Sequence, residues 1–444
     1  NEYILEELGK VSGVETSVSQ GTVKYNGKTY DISEIIGNTS EQKAIEKEEG
    51  LKQVTAATAT DAEDKEILSS KDSDGNAKVR MIIVEENTDN TTIKAVIPSG
   101  FYYVTGKPST GLVISDKFDD DDNNSKGGNQ FVWVPCNGGK ATYQLHTYAT
   151  VNVNDLGEST ADTGNGGWKT YYYRKYSDWK DNAGEATVTS AKANSVATYG
   201  GFYVARFEAG EPTNASFYND KDGSTYWQNS RSDGNYSSTV KSKDITEENG
   251  ENLLPVSKKN TPSWNYISQT KSKTVSENMY GKSNTVKSYL IDGTAWDTVT
   301  QWISDVTTKS VTDSTDWGNY WNSNYKLKGL YAKHNYNNGW IPGLVYNYGT
   351  YNKGNEYLEV ATGVTTEDEK RNTACNIYDM AGNMWEWTTE TGKHDTGTTE
   401  FAVLRGGSFS GDGSYDPVSD RNGDSTVSDS YYVNVGFRVV LYIQ

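Results

Sequence analysis

The chain has 444 residues, 42 of them Lys or Arg and 60 Asp or Glu, for a formal net charge of −18. This acidic balance argues against a nucleic-acid or anionic-membrane binder, because such proteins carry a basic footprint. No stretch approaches the roughly 18 consecutive apolar residues of a membrane-spanning helix, and no signal-like start is visible. The 32 Tyr and 43 Gly are typical of extracellular β and loop proteins, whose surfaces bind ligands through rigid aromatics and small polar groups.

Aromatic residues divide the chain in two. Residues 1–92 hold three of them and no Trp, whereas the other 352 residues hold 50, so we predict a domain boundary near residue 92 and a small α+β domain before it. Its predicted elements, in chain order, are a helix over 2–10, a hairpin over 22–32 around Asn26-Gly27, a helix over 40–53, a loop over 56–77, and strands over 79–85 and 92–97.

The second part is predicted to be loop-rich with short strands at 131–135, 201–207 and 437–441. Two helices are expected, over 188–199 and over 295–304, and the second resembles a capping box through Thr294 and Asp297. Trp296, Val299 and Ile303 share one face of that helix, which indicates core packing. Polar segments at 140–185, 213–250 and 305–340 are interpreted as insertions on a rigid scaffold. The acidic run 119–124 is interpreted as a surface loop, where calcium binding is possible although the oxygen spacing of a calcium loop is not met.

A set of short motifs then follows one order along the chain: FVWVP at 131–135, GGFYVARFEAG at 200–210, NIYDMAGNMWEWT at 376–388, LRGGS at 404–408 and VGFRVV at 435–440. This set resembles the formylglycine-generating-enzyme-like superfamily, a version of the C-type lectin fold, over about residues 128–442. The resemblance implies an α+β fold: a C-type-lectin-like, loop-rich mixed sheet with two helices, preceded here by the small N-terminal domain. The lead-in at 97–116 is similar to one found in prepilin-type surface proteins of gut clostridia.

The catalytic pattern of that superfamily is absent. Relatives that oxidise sulfatase cysteines use two Cys after RGGS, but residues 408–435 contain none, and the three His are scattered without metal-ligand spacing. We therefore predict that the chain is not an enzyme and holds no cofactor, with bound calcium as the alternative. The paired carboxylates of a glycosidase remain open, and an oxidase of the formylglycine-generating type is the third-ranked function.

Scarce residue types in the motifs are expected to brace the fold. The chain has only eight Arg, and Arg405 and Arg438 are each expected to pair with a carboxylate such as Glu386 or Asp379. The two cysteines, Cys136 and Cys375, are consistent with one disulfide or with two free thiols.

The segment between RGGS and GFR, residues 408–435, has the composition of an antibody paratope: 20 of its 28 residues are Ser, Gly, Asp, Tyr or Asn. Lys, Glu, Gln, Met and Trp account for 87 of the 444 residues, so such a window should hold five or six of them, and it holds none. These are the types that an Asn codon altered at its two adenines can never encode. In this respect the segment resembles the variable proteins of diversity-generating retroelements, although an ordinary variable loop is the alternative.

The sequence therefore predicts an extracellular, cell-surface adhesin with a diversified binding face. A pilus subunit or tip is the more specific hypothesis, and a phage receptor-binding protein of the same fold is the main alternative. Residues 1–92 would be a stalk or pilin-like assembly module that supports a filament, and residues 93–444 the lectin-like domain. The ligand would be a protein or glycan on another cell or a phage, and not a nucleic acid. Pro417, Arg421 and Gly436 are interpreted as scaffold. The side chains predicted to face the ligand are Phe409, Asp412, Tyr415, Asp416, Asp420, Asp424, Asp429, Tyr431, Tyr432 and Asn434.

Overall fold

The structure is a computed structural model of the chain. It describes residues 10, 14–17, 22–25, 28–31, 39–69, 81–88, 91–118, 127–136, 143–144, 153–154, 158–159, 180–181, 186–212, 247–248, 251–333, 346–366, 371–393, 400–423 and 432–444.

Five helices occur in these residues: α1 (Thr39–Lys47), α2 (Ala62–Leu68), α3 (Ala186–Tyr199), α4 (Gln269–Met279) and α5 (Gly293–Val306). The strands are β1 (Val14–Ser17), β2 (Thr22–Tyr25), β3 (Lys28–Asp31), β4 (Leu51–Val54), β5 (Ile82–Thr88), β6 (Thr91–Ile97), β7 (Tyr102–Thr105), β8 (Val113–Ser115), β9 (Gln130–Pro135), β10 (Val153–Asn154), β11 (Glu158–Ser159), β12 (Lys180–Asp181), β13 (Gly201–Ala205), β14 (Glu247–Glu248), β15 (Glu251–Asn252), β16 (Val286–Leu290), β17 (Tyr325–Lys333), β18 (Tyr346–Lys353), β19 (Leu358–Val360), β20 (Thr365–Thr366), β21 (Thr373–Ala374), β22 (Ile377–Tyr378), β23 (Trp385–Lys393), β24 (Glu400–Arg405), β25 (Arg421–Gly423), β26 (Val435–Phe437) and β27 (Val439–Ile443).

The centre of the fold is a six-stranded antiparallel sheet in the order β16-β27-β13-β9-β8-β7. Every side chain of β9, β13 and β27 is buried, as expected for a sheet covered on both faces. The predicted strands at 131–135 and 201–207 are thereby confirmed in kind, although the second ends at Ala205. The predicted strand at 437–441 is instead two short strands, β26 and β27, separated at Arg438.

A second sheet contains the strands on either side of segment 408–435 and β25 within it. Its strand order is β12-β23-β24-β25, and β26 lies parallel to β23. Because β26 belongs to this sheet and β27 to the central one, the chain passes from one sheet to the other at Arg438. The mixed sheets with helices confirm the α+β, C-type-lectin-like expectation.

The N-terminal part forms two antiparallel sheets, β1-β2-β3 and β4-β5-β6. Pairing of Tyr25 with Lys28 confirms the predicted hairpin over 22–32. The predicted helix over 40–53 is partly wrong: α1 ends at Lys47, Gly50 follows with a φ of 83° that ordinary residues rarely adopt, and β4 begins at Leu51. The predicted boundary at residue 92 falls inside β6, which pairs with β5 along its whole length.

Three further predictions about elements are corrected by the structure. The predicted loop over 56–77 contains α2, which begins after Asp61, whose carboxylate accepts hydrogen bonds from two backbone N–H groups of the first turn. The second part has a third helix, α4, in a polar stretch whose Val275 and Met279 are buried. The capping box at Thr294 is wrong, because Asp292 is the N-cap residue of α5.

The segment 305–340 is not an insertion over its described part. Trp317 and Tyr320 are buried, and Trp317 packs in one hydrophobic cluster with Trp296, Val299 and Ile303 of α5. Those three α5 side chains are fully buried, which confirms their predicted role in the core. The predicted helix over 2–10, the acidic run 119–124, and most of 140–185 and 213–250 lie outside the described residues.

Among the helices that the structure describes, none is long and apolar enough to cross a membrane.

Candidate binding face

The segment 408–435 leaves β24 through a tight turn at Gly406 and Gly407. Both glycines have positive φ, 93° and 74°, and a Cβ on Gly407 would lie 2.3 Å from the backbone oxygen of Asp416. Only glycine satisfies both conditions. The RGG motif is therefore a backbone requirement that fixes where the segment begins.

The structure places half of the predicted ligand-facing side chains at the surface. Tyr432 is 40% exposed, and four others are half-buried: Asp412, Tyr415, Asp416 and Asn434. Three predicted residues lie outside the described part of the chain: Asp424, Asp429 and Tyr431.

Two of the predicted ligand-facing residues are buried, so that prediction is wrong for them. Phe409 is fully buried, and its backbone N–H donates to the carbonyl of Asn383 at 2.9 Å. Asp420 is 1% exposed, and its carbonyl accepts a hydrogen bond from Nε of Arg405 at 2.7 Å. Both side chains therefore lie on the underside of the segment. Phe409 comes shortly after β24 ends, and Asp420 comes just before β25 begins.

Four charged side chains hold the segment where it meets β24 and β25. Arg405 contacts Asp297 at 2.7 Å and Glu390 at 3.0 Å. Arg421 binds the same two carboxylates, reaching Glu390 at 2.9 Å. We call these four residues the charge ring. Each carboxylate bridges both arginines, so the ring is electroneutral and its members are mutually satisfied. The interpretation of Arg421 as scaffold agrees with this geometry, whereas Arg405 pairs with other carboxylates than the two suggested.

Another buried arginine, Arg438, follows the C-terminal end of β26. Arg438 binds Glu386 with Nε at 3.0 Å and Nη2 at 2.5 Å, and also donates to the carbonyls of Ala205, Tyr378 and Asp379. The predicted pairing with Glu386 is therefore confirmed. Burial raises the pKa of Glu386 to about 7, while Arg438 opposes the shift.

A neighbouring loop, residues 311–324, supports the segment from the side. The carbonyl of Gly413 accepts from the backbone N–H of Ser314 at 2.8 Å, and its N–H donates to Oδ1 of Asn322 at 3.3 Å. The carbonyl of Gly411 accepts from the backbone N–H of Trp321 at 3.1 Å. Residues 408–416 and this loop therefore form one surface, which we call the binding face.

Sequence reasoning missed the aromatic part of this face. The rings of Trp321 and Tyr357 stack at a centroid distance of 6.3 Å, and both side chains are half-buried. The signal for it in the sequence is the density of aromatics at 316–325, DWGNYWNSNY. The interpretation of 305–340 as an insertion gave these aromatic residues no structural role.

Comparison with known proteins agrees with this geometry. Residues 304–443 match the model of the sulfatase-modifying factor enzyme 1-like domain. This part of the chain is therefore similar to the sulfatase-modifying factor enzyme 1-like domain. The match confirms the resemblance to the formylglycine-generating-enzyme-like superfamily for residues 304–443, which include the whole of the binding face.

Two solved structures are similar to the chain. Variable protein 1 of Treponema denticola is 12% identical, with a TM-score of 0.30, over 71% of this chain and 96% of that one. CarF is also 12% identical, with a TM-score of 0.27, over 55% of this chain and 87% of that one. Among curated proteins, none matches the chain.

The described residues do not assemble a reactive centre around the two cysteines. Cys136 and Cys375 are free and buried, and burial raises the pKa of each thiol to about 12, so both are protonated at neutral pH and are poor nucleophiles. Within the same part of the chain, no group of three or more His, Cys, Asp or Glu is placed to hold a metal ion.

Proposed function

We propose that the chain is an extracellular, surface-displayed protein that binds a protein or glycan ligand through the binding face, with segment 408–435 as its diversified part. The ligand would be carried by another cell or a phage. The observation that carries the proposal is the split between the two sides of the segment. Its surface side chains are Tyr, Asp, Ser and Asn, whereas its underside is fixed by buried charges and apolar packing.

This split is what a variable binding surface requires. Side chains that touch a ligand can change without unfolding the domain only if their backbone is held by other residues. The charge ring, the Gly406-Gly407 turn and the loop 311–324 hold the backbone here. Among the outward side chains, that of Asn434 also contributes, because its amide donates to the hydroxyls of Ser408 and Ser410. Trp321 and Tyr357 add large, rigid contact area beside them.

The proposal is tested by sequencing the codons for residues 408–435 across a population of the source organism and searching nearby for a template copy. We expect substitutions at the outward positions Asp412, Tyr415, Tyr432 and Asn434, at template Asn codons. Codons for the underside provide the matched control and should stay constant: Phe409, Val418, Asp420, Arg421, Val433 and Val435.

An invariant segment with no template copy would overturn the diversified face. Substitution that is as frequent at Arg421 and Val418 as at the outward positions would overturn it as well, because the underside would then not be a fixed support.

A further inference from the structure

Two carboxyl groups of the segment form no salt bridge among the residues that the structure describes: that of Asp416, within the binding face, and that of Asp420, beneath it. Asp420 is 1% exposed, and neither of its carboxylate oxygens has a hydrogen-bond partner among the described residues. Asp416 is half-buried beside it, and its carboxyl oxygen packs so closely on Gly411 that a Cβ there would lie 2.5 Å away. The charge of Asp416 is near enough to raise the pKa of Asp420.

The charged groups around this pair are already in balance. Arg405 from β24 and Arg421 from β25 are bound to Asp297 from α5 and Glu390 from β23. The remaining titratable neighbours are Asp412, on the same segment, and the buried phenol of Tyr320, which donates to the carbonyl of Gly406. Both arginines favour the charged form of Asp420, but each is already bound to two carboxylates. Ionisation of Asp416 and Asp420 would therefore add two negative charges that these cations compensate only in part, and burying such charges is costly.

We infer that Asp416 and Asp420 form a pH-responsive latch: when both are protonated the segment 408–421 packs closed, and when they ionise it loosens. The latch acts on the binding face because Asp416 lies between Gly407 and Gly411. Its backbone N–H also donates to the carbonyl of Asp412 at 2.7 Å. Moving the Asp416 carboxylate out to water would pull on the turn that presents Asp412 and Tyr415.

The direction of the pH dependence follows from burial. Burial raises the pKa of Asp416 to about 7, against a backbone hydrogen bond from Asp412 that lowers it. Burial and the charge of Asp416 raise the pKa of Asp420 well above its usual range, although Arg405 and Arg421 oppose the shift. For an acid whose pKa is higher in the folded state, the stabilisation is fully present below the unfolded pKa, about 4, and is lost as pH rises through the folded pKa. The closed segment is therefore favoured in mild acid and weakens from neutral pH upward.

The test is hydrogen–deuterium exchange of peptides covering 408–421 in the full chain, at about pH 5 and about pH 8, with times scaled for the intrinsic exchange rate. We expect protection of this segment to fall by about tenfold or more at the higher pH, while protection of β9 and β13 stays constant. Asp416→Asn, which mimics the protonated acid, should remove most of the fall. Asp316→Asn, the same change on an exposed neighbour, should keep it.

Equal protection at the two pH values, or an undiminished fall in Asp416→Asn, would overturn the latch. Asp420→Asn is a second variant, and circular dichroism reports whether it folds; if it does not, Asp416→Asn still decides. The role of the latch in ligand binding rests on the proposed function, but its test measures only local order, so either idea can fail alone.

Discussion

Arg438 connects the two main sheets through a single side chain. It stands between β26 and β27, is fully buried, and binds Glu386 of β23 together with the carbonyls of Ala205, Tyr378 and Asp379. A guanidinium has five N–H donors in a rigid fork, and this site uses that geometry to satisfy backbone groups where neither sheet can. The GFR motif is therefore a packing device for the crossing between sheets.

Replacing Arg438 by Met should lower the free energy of unfolding by about 3–5 kcal/mol, because it leaves the buried Glu386 carboxylate and three carbonyls without their donor. Urea denaturation followed by tryptophan fluorescence measures this loss. Lys52→Met is the control: its pair with Glu85 spans 3.6 Å and Lys52 is 58% exposed, so the loss should stay under about 1 kcal/mol. Equal losses in the two variants would show that Arg438 does not brace the crossing.

How far the sequence predicts these residues depends on the distance along the chain. Pairing of Arg438 with Glu386 is predictable, because both belong to motifs that a shared fold brings together. The partners of Arg405 are not: Asp297 lies 108 residues away in α5 and resembled a capping residue. Exposure of Phe409 and Asp420 was mispredicted for a related reason, since composition describes a segment as a whole and cannot tell which of its sides faces the core.

At the scale of elements, α5 is held by an N-cap that is also half of a buried ion pair. The carboxylate of Asp292 accepts from the N–H of Ala295 at 2.7 Å and from Nζ of Lys192 at 2.5 Å. Lys192 belongs to α3 and lies over the ring of Tyr289 at 4.7 Å. One carboxylate thus starts one helix and fixes a second helix against it.

Asp292→Ala should therefore cost more than an ordinary cap. Ser268 caps α4 through a hydrogen bond to the N–H of Lys271, and Ser268→Ala should lower the free energy of unfolding by about 1 kcal/mol. Asp292→Ala should cost about 3 kcal/mol or more, because it also leaves the Lys192 ammonium buried and unpaired. The more informative variant is Asp292→Ser, which keeps a capping oxygen and removes the charge.

If the ion pair dominates, Asp292→Ser should remain close to Asp292→Ala, and adding Lys192→Met to it should recover much of the loss. Chemical denaturation of the four variants gives the comparison. A loss in Asp292→Ala no greater than that in Ser268→Ala would reduce Asp292 to a cap.

Elements were predictable from the sequence where the local signal agreed with the tertiary environment. The strands β9 and β13 have apolar runs and the helix α5 has one apolar face, and the sequence predicts all three within a few residues. The helix α3 is also predicted, although it buries Lys192 and Ser195 as well as Val196 and Tyr199. The missed helices α2 and α4 are polar along most of their length, and each buries only a few side chains, such as Ile67 and Leu68 of α2. Tertiary contacts at those few positions outweigh a composition that favours loops.

At the scale of the whole molecule, the apolar core runs from the N-terminal sheet into the central sheet without a break. Ile45, Ile83 and Val96 belong to the same cluster of buried side chains as Phe131 and Tyr203. Polar contacts cross the same junction: Glu41 accepts from the N–H of Tyr103 at 2.6 Å, and Glu86 accepts from the N–H of Ser109 at 2.8 Å. The hydroxyl of Tyr203 also donates to the carbonyl of Val96.

This continuity predicts that the described N-terminal elements and the lectin-like part unfold together. No Trp precedes Trp133, so tryptophan fluorescence reports only on the later part, whereas far-ultraviolet circular dichroism reports on both. We expect the two denaturation curves to coincide. Ile83 of β5 is fully buried. We expect Ile83→Ala to lower the free energy of unfolding by about 2–5 kcal/mol and therefore to lower the midpoint of the fluorescence curve. Lys65→Ala on the exposed side of α2 should move neither curve. A fluorescence midpoint unchanged by Ile83→Ala would mean that the sheet β4-β5-β6 unfolds independently, because its destabilisation would then leave the tryptophan-containing part of the chain folded.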